Sequence, residues 1–335
     1  MTLPASLRDR LRLPIFGSPL FTISGPELVI AQCKAGIVGS FPALNARPEP
    51  VLDEWLHQIT EELAAWDKAN PDRLSAPYAV NQIVHKTNNR LEHDMLAIEK
   101  WKPQIVITSL GAVTEVNDAV HRWGGIVLHD VINQTFAHKA IDKGADGLIP
   151  VAAGAGGHAG EQSPFAIVRE LREWFDGPIA LSGAIGSGWG VLGAQAAGAD
   201  VAYIGTAFIA THEARSKDDY KNMIVSSGAG DVVYSDLFSG VHGNYLAPSV
   251  SRAGLDPTDL PKGDKSKMNF NSGGNQRVRV WTDIYGGGQG IGSVKAVVSV
   301  AELVDRLERE YEQAKAELNG KVGMASKAQT AMAAG

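Results

Sequence analysis

The segment QTFAHKAIDKGADGLIPV, residues 134–151, contains the structural unit on which the whole fold depends. Its first part has apolar side chains at helical spacing, and its last five residues form a short apolar run typical of a buried strand. Gly144 separates the two parts, and glycine ends helices well because it adopts the left-handed conformation without strain. Similar joints occur at KAG, residues 34–36, and at AGAD, residues 197–200. This recurrence indicates a repeated helix–strand unit.

Eight short apolar runs alternate with amphipathic segments over the first 212 residues. We predict strands at 13–16, 36–40, 78–81, 104–109, 125–129, 147–151, 178–182 and 201–205. Helices are predicted between them at 26–35, 49–68, 89–100, 114–123, 134–143, 164–174 and 188–197. Continuous apolar runs are typical of parallel strands buried on both faces, and right-handed crossovers wind such strands into one sheet. Because eight units close most economically into a barrel, the sequence predicts an α/β fold, a (β/α)8 TIM barrel.

The regular alternation stops near residue 213. Residues 213–287 are rich in charged, small and polar side chains, and we predict that they form a smaller cap inserted after strand eight, with one helix at 218–226. A glycine-rich segment, 286–292, then leads into an amphipathic helix at 300–318, which we place against the barrel wall. The predicted division is a barrel from 1–212 and 288–321, a cap from 213–287 and a disordered tail from 322–335.

Composition and charge exclude several classes of protein. The chain has 335 residues, of which 44% are hydrophobic and 20% charged, as is ordinary for a globular protein. A net charge of -6 without a basic stripe argues against a nucleic-acid partner, and no apolar run approaches the roughly 20 residues of a membrane-spanning helix. Cys33 is the only cysteine, which excludes a disulfide framework. Residues 1–13 are charged and lack the apolar core of a secretory signal, so we expect a cytoplasmic protein.

Small residues follow the seventh and eighth predicted strands. Ser182, Gly183 and Ala184 come after the seventh strand, and Gly205 and Thr206 come after the eighth. In TIM barrels these two loops form the standard phosphate site, where small residues let backbone N–H groups and a helix N-terminus approach the anion. We therefore expect a phosphorylated cofactor. The alternative is that the glycines only form tight turns.

The pattern G-x-G-x-x-G at 188–193 also follows a strand and opens a helix, as in a dinucleotide-binding fold. Such a fold needs an acidic residue at the end of the next strand to bind the ribose. Strand eight ends instead in Gly205 and Thr206. We interpret the pattern as coincidental.

The loop AGAGGHAGE, residues 153–161, holds the strongest candidate for a catalytic residue. His158 has no bulky neighbours in sequence, so its imidazole can face a ligand and exchange protons near neutral pH, although a loop hydrogen bond would also explain it. His129 ends strand five, where it could contact a cofactor or form a core hydrogen bond. His85 and His242 lie in predicted loops near the barrel mouth. No zinc motif, nucleophile elbow or P-loop lysine is found in the sequence.

Five short motifs, in this order along the chain, resemble nitronate monooxygenases, formerly called 2-nitropropane dioxygenases. They are LPIFGSPL at 13–20, VN at 80–81, GGHAG at 156–160, SGAI at 182–185 and GTAF at 205–208. Each motif alone is common, but the ordered set is specific and spans most of the predicted barrel.

The resemblance implies a non-covalently bound FMN at the barrel mouth. Its phosphate would lie on the amides of residues 183–184 and 205–206, its ring over residues 17–20, and Asn81 would hydrogen-bond the isoalloxazine edge. His158 would face the flavin and act as a base for a neutral nitroalkane or as a positioning donor for a nitronate. The cofactor-binding residues implied are Gly17, Ser18, Pro19, Leu20, Asn81, His129, Gly157, Ser182, Gly183, Ala184, Gly205 and Thr206.

The chain departs from the family pattern at a few positions. Gly17 and Leu20 stand where Gln and Met are frequent, and Ala184 replaces a second glycine. Many relatives have Lys after the histidine of strand five, whereas here Asp130 follows, so a cationic contact to the cofactor is missing. The cap residues 241–246, which include His242 and Tyr245, match only loosely, and no role is assigned to them.

The family reaction implied is oxidation of an alkyl nitronate by FMN, with O2 as the final acceptor, to a carbonyl compound and nitrite. The partners expected are therefore a nitronate or nitroalkane and O2, and a homodimer is an open alternative for the assembly. Two other functions stay open. One is an NAD(P)H-dependent FMN reductase of a quinone or enoyl thioester, and the other is a non-catalytic binder of phosphorylated metabolites.

Overall fold

The computed structural model describes residues 3–263 and 283–333, so part of the predicted cap, 264–282, lies outside the described residues. Eleven strands are described: β1 Ile15–Gly17, β2 Gly39–Pro42, β3 Tyr78–Ile83, β4 Ile105–Ser109, β5 Ile126–Val131, β6 Gly147–Pro150, β7 Gly157–His158, β8 Ala180–Ser182, β9 Val201–Ile204, β10 Val232–Ser235 and β11 Gly243–Leu246. The helices are α1 Ala5–Arg8, α2 Pro26–Lys34, α3 Val51–Ala69, α4 Leu91–Trp101, α5 Thr114–Arg122, α6 Gln134–Asp142, α7 Pro164–Arg172, α8 Gly188–Ala197, α9 Thr206–Ile209, α10 Asp218–Ser226, α11 Ala247–Arg252 and α12 Val300–Ala333.

Eight parallel strands form a closed barrel. Strands β2 to β6 pair in sequence order, and β1, β9 and β8 form a second parallel group. Bridges from Phe16 to Val38 and from Leu148 to Ile179 join the two groups at both edges. The predicted TIM barrel is therefore confirmed, with all eight predicted strands in place.

The barrel interior is filled by alternate residues of each strand. Phe16, Leu128 and Tyr203 belong to one buried cluster inside the barrel, while neighbouring strand residues pack outwards against the helices. Side chains in a strand alternate between its two faces, so the residue two positions beyond an interior residue also points inwards. At the carboxyl ends of the strands this rule selects Asn81, Ser109, Asp130 and Ser182.

The cap contains an antiparallel sheet that the sequence analysis did not predict. Strands β10 and β11 form a hairpin, and β11 also pairs with β7, so that Gly243 lies opposite His158. The predicted helix at 218–226 is present as α10. Strand β7 has only two residues and no strand-like sequence, which is why it was expected to be an irregular loop. The cap and the histidine loop are thus one connected structure.

The last helix, α12, packs against α8 and explains a glycine of the G-x-G-x-x-G pattern. A Cβ atom on Gly188 would lie 2.2 Å from the backbone nitrogen of Tyr311, so only glycine lets the two helices approach this closely. The backbone of α12 continues to Ala333, where the sequence predicts a disordered tail from 322. The separation into barrel and cap domains stays a prediction.

Candidate active site

A cavity of about 770 Å³ opens at the carboxyl ends of the barrel strands. Its size lies within the range of small-molecule and cofactor sites, which is about 300–1,000 Å³. Eleven of the thirteen residues predicted for the site line it: Ser18, Pro19, Leu20, Asn81, Gly157, His158, Ser182, Gly183, Ala184, Gly205 and Thr206. Gly17 and His129 are absent from its lining. The structure therefore brings residues from almost the whole length of the barrel into one cavity.

His158 lies on the cap side of this cavity and is half-buried. Its backbone is fixed by pairing of β7 with β11, and Nε2 lies 2.8 Å from the hydroxyl oxygen of Ser239. Burial lowers the pKa of His158 to about 4, because a charged imidazolium loses hydration there. The imidazole is consequently neutral at pH 7, which suits a proton acceptor or a hydrogen-bonding group.

The hydrogen bonds of Ser239 favour a proton on Nε2 of His158. The serine hydroxyl also lies 3.0 Å from the carbonyl oxygen of Val241, which can only accept a hydrogen bond. Because a hydroxyl has a single hydrogen, donation to Val241 leaves the serine oxygen to accept from Nε2–H of His158. In that arrangement Nδ1 carries the lone pair. Tyr245 is buried with its hydroxyl 3.4 Å from Ser239, so it supports the serine and does not line the cavity.

The lowered pKa of His158 predicts a pH dependence of stability. In the unfolded chain the imidazole binds a proton near pH 6.5, whereas in the folded protein it does so only near pH 4. The contribution of the neutral His158 imidazole to the free energy of unfolding is therefore complete above about pH 6.5. It is lost as the pH falls towards 4. Urea unfolding of the ligand-free protein should show a smaller loss of stability over this range for His158→Gln than for the unaltered chain. Parallel curves for the two proteins would contradict the burial of a neutral imidazole.

Small residues from four segments meet in another part of the cavity lining, next to the start of the His158 loop. Gly154, Gly183, Gly205 and Gly288 all line it, and the amide of Gly288 donates to the Thr206 hydroxyl at 2.9 Å. The sequence analysis did not assign the glycine-rich segment 286–292 to the site. Its high glycine content was the feature of the sequence that could have predicted this. Because these segments carry little side-chain bulk, a ligand here meets mainly backbone.

One amide proposed for the phosphate, that of Ala184, and two amides at the start of α8 are already used within the protein. The Ala184 amide donates to the carbonyl oxygen of Gly154 at 3.2 Å. At the start of α8, the Gly188 amide donates to the carboxylate of Glu310 at 2.8 Å, and the Gly190 amide to Ser187. The N-terminus of α8 is thus capped by a carboxylate, and an anion at this end of the cavity would depend on the remaining loop amides.

His129 and Gly17 are directed towards the helical layer and not into the cavity, and their predicted cofactor contacts stay predictions. His129 neighbours Leu128 and Asp130, both of which point into the barrel, so alternation turns its own side chain outwards. Its Nδ1 lies 2.6 Å from the Thr108 hydroxyl, as expected of a core hydrogen bond. A Cβ on Gly17 would meet the buried amide of Gln32 at 2.2 Å, so this glycine makes room for the helix behind the strand.

Polar side chains that the sequence analysis did not assign to the site form the cavity floor. Asp130, Ser109 and Tyr203 line the cavity together with Asn81, whose amide nitrogen donates to the Ser109 hydroxyl at 2.8 Å. The alternation of inward and outward side chains along each strand could have predicted that these residues face the cavity. The prediction ended strand five at His129, whereas β5 continues to Val131.

The outer wall of the cavity is mainly apolar and, among the residues that the structure describes, includes one arginine, the exposed Arg47. Phe21 and Leu44 line it, and the loop that holds Phe21 is fixed by Asn45, which donates to the carbonyl oxygens of Leu20 and Ser24 at 2.9 Å. Arg47 donates through Nε to the Leu44 carbonyl oxygen at 2.9 Å. Neither His85 nor His242 lines the cavity.

The residues present suit a flavin. Small-residue loops at one end can admit a phosphate, while amide, hydroxyl and carboxyl groups on the floor match the alternating carbonyl and N–H groups of an isoalloxazine edge. Among residues 3–263 and 283–333, no three His, Cys, Asp or Glu side chains are grouped as metal ligands would be. Over the same described range, no helix has the length and apolar composition needed to cross a membrane.

Comparisons with known proteins agree with this geometry. A sequence model of nitronate monooxygenases matches residues 9–310. A nitronate monooxygenase of Paraburkholderia phytofirmans is 26% identical over 347 aligned positions, which cover 90% of this chain and 92% of that protein. An octahydroindene carboxyl-CoA dehydrogenase of Rhodococcus jostii is 24% identical over 68% of this chain and 61% of its own length. Nitroalkane oxidase from Streptomyces ansochromogenes, 19% identical, has the same fold, with a TM-score of 0.77 over 93% of this chain and 99% of that chain.

The fold, the cavity and these relatives define a flavin-dependent oxidoreductase on a TIM barrel. The chain belongs to the nitronate monooxygenase family, because the sequence model of that family matches most of its length.

Proposed function

We propose that this protein is an FMN-dependent monooxygenase that oxidises alkyl nitronates with O2 to carbonyl compounds and nitrite. The observation that carries the proposal is the cavity whose lining includes both His158 and the small-residue turns after β8 and β9. These are the places where a barrel flavoenzyme of this family needs a reactive side chain and a phosphate site. The cytoplasm as location and a homodimer as assembly are further proposals from the sequence.

The chain has a suitable place for each part of FMN. The turns at 182–184 and 205–206 would hold the phosphate, and the floor with Asn81 and Ser109 would hold the polar edge of the ring. The bound FMN would supply the electron transfer and the reaction with O2. The protein contributes orientation and exclusion of water.

The neutral imidazole of His158 would act directly on the substrate. With Nε2–H donated to Ser239, Nδ1 can accept a proton from the α-carbon of a neutral nitroalkane. If the Ser239 hydroxyl turned from the Val241 carbonyl oxygen to donate to Nε2, Nδ1–H could donate to an oxygen of a nitronate anion. The apolar wall formed by Phe21 and Leu44 favours an alkyl chain, and the positive charge of Arg47 at the rim favours an anionic substrate.

A reductase is a second candidate, because one curated relative is named as a carboxyl-CoA dehydrogenase. Such an enzyme would exchange a hydride with a nicotinamide or thioester partner through the same flavin. The two candidates share the cofactor site and differ in what reduces the flavin.

Anaerobic mixing is expected to separate the two candidates. The purified protein should have the absorption spectrum of FMN, and an alkyl nitronate should bleach it within the time of one turnover. NAD(P)H should bleach it no faster than a sample without substrate. Rapid bleaching by NAD(P)H alone would support the reductase instead, and a protein that cannot be loaded with FMN would contradict both functions and leave a non-catalytic binder.

A further inference from the structure

Asp130 is the carboxyl group of the cavity floor, and the proposed function leaves it without a role. It lies near the end of β5 and points inwards, because it follows the interior residue Leu128 by two positions. In the barrel, β5 is separated from β8 by β6 alone, and Asp130 lines the same cavity as the turns after β8 and β9 that would hold the phosphate. A flavin with its phosphate at those turns and its ring over the cavity floor would lie against Asp130, which lines that floor with Asn81 and Ser109.

The surroundings of Asp130 use only part of its hydrogen-bonding capacity. The Ser109 hydroxyl and the Leu110 amide both donate to the carboxyl group. Leu110 has a left-handed backbone with a φ of 64°, which is uncommon for a leucine and aims its amide at the carboxyl group. A carboxyl group offers about four lone-pair positions, so capacity remains towards the cavity, which Asp130 lines.

The charge of Asp130 is not balanced by a nearby cation. Within residues 3–263 and 283–333, no ion pair joins it to a lysine or arginine. Two titratable groups interact with its charge: His129 on the same strand and Tyr203 on β9. Ser109, at the end of β4, and Leu110, which follows it, are uncharged. Burial lowers the pKa of His129, so that neighbour is neutral as well.

An aromatic ring placed over this carboxyl group would remove it further from water. An ionised carboxylate without a cation is very unfavourable in such a place, and the usual outcome is that the group binds a proton. Burial already raises the pKa of Asp130 in the described structure. A protonated carboxyl group gains one donor, and the polar edge of a flavin offers several acceptors.

We propose that Asp130 binds the polar ring edge of the flavin as an uncharged carboxylic acid, donating its proton to a ring oxygen or nitrogen. This inference rests on the proposed FMN site. It assigns Asp130 as a cofactor-binding group of this chain, at the position where a cation was expected from the family resemblance.

The test compares FMN dissociation constants of the unaltered protein, Asp130→Asn and Asp130→Ala from about pH 5 to 9, measured by quenching of flavin fluorescence. Asn is neutral at every pH and keeps a donor, whereas Ala has none. We expect the FMN dissociation constant of the unaltered protein, divided by that of Asp130→Asn, to rise with pH. Above the pKa of the ligand-free carboxyl group, the rise should be up to about tenfold per pH unit. Titration of the FMN phosphate cancels in this ratio. We expect Ala to bind FMN about tenfold more weakly than Asn.

A ratio that is constant or falls with pH would overturn the proposal, as would an Ala variant that binds FMN as tightly as the Asn variant. Asp118→Asn, on the exposed surface of α5, is the matched control and should leave the FMN dissociation constant unchanged.

Should both Asp130 variants fail to fold, calorimetry of FMN binding to the unaltered protein in two buffers at about pH 8.5 tests the proposal. Uptake of a proton on FMN binding supports the proposal, and release or no uptake overturns it. If the unaltered protein binds no FMN at any pH, the proposed function fails together with this inference; if it binds and the ratio is flat, only the inference fails.

Discussion

Replacement of His158 by alanine should lower turnover of an alkyl nitronate or nitroalkane by about 10²–10⁴-fold, the usual contribution of a side chain that transfers or positions a proton. The reason is geometric: His158 is the only histidine among the described residues that lines the cavity. FMN should remain bound, because the proposed phosphate turns lie on other loops. Steady-state rates with saturating FMN, together with the flavin absorption of the variant, measure both parts.

Two controls make the His158 experiment decisive. His57→Ala changes an exposed histidine on α3, outside the cavity, and should leave the rate unchanged. His158→Ala should also keep the far-UV circular dichroism of the unaltered protein, since the pairing of β7 with β11 uses backbone atoms. A rate within about twofold of the unaltered enzyme would remove His158 from the mechanism.

Gly183→Asp should expel the flavin. The new carboxylate would add a negative charge at the turn proposed to hold the phosphate, and two like charges about 4 Å apart at the protein surface repel by about 4 kcal/mol, or about 10³-fold in affinity. Flavin content after gel filtration and the FMN dissociation constant both measure the loss.

The matched control for that prediction is Gly183→Asn, because Gly183 also has a backbone restriction. Its φ is 136°, and a Cβ atom would lie 2.9 Å from the carbonyl oxygen of Ala153, so any side chain strains this turn. Asn carries nearly the same shape and strain as Asp without the charge. The expected result is a large difference in FMN affinity between the two variants at equal thermal stability, and equal affinities would contradict a phosphate at this turn.

The barrel could be predicted from the sequence because its signals are local. Each strand is a short apolar run, and several strands follow a helix that ends at a glycine, as at Gly144 and Gly198, which adopt positive φ angles in the structure. The ends of strands are less well determined by the sequence. Asp130 is polar and was taken as lying beyond strand five, although it continues the inward-facing row of β5.

The cap could not be predicted in the same way, because its structure depends on contacts between distant parts of the chain. Gly157 pairs with Asn244, and Ser239 reaches His158 from 81 positions along the chain. Neither segment has a sequence pattern that predicts which other segment it contacts. The tautomer of His158 and the orientation of His129 likewise follow from neighbours that only the fold brings together.

Strand β7 and the hairpin β10–β11 belong to one small sheet, and this limits how the enzyme can be altered. A substitution in the hairpin that enlarges or reshapes the space for a new compound would also shift the strand that carries His158. Selectivity and reactivity are therefore mechanically coupled, and a laboratory attempt to broaden the range of accepted compounds should begin at the outer wall near Phe21, which no strand connects to the imidazole.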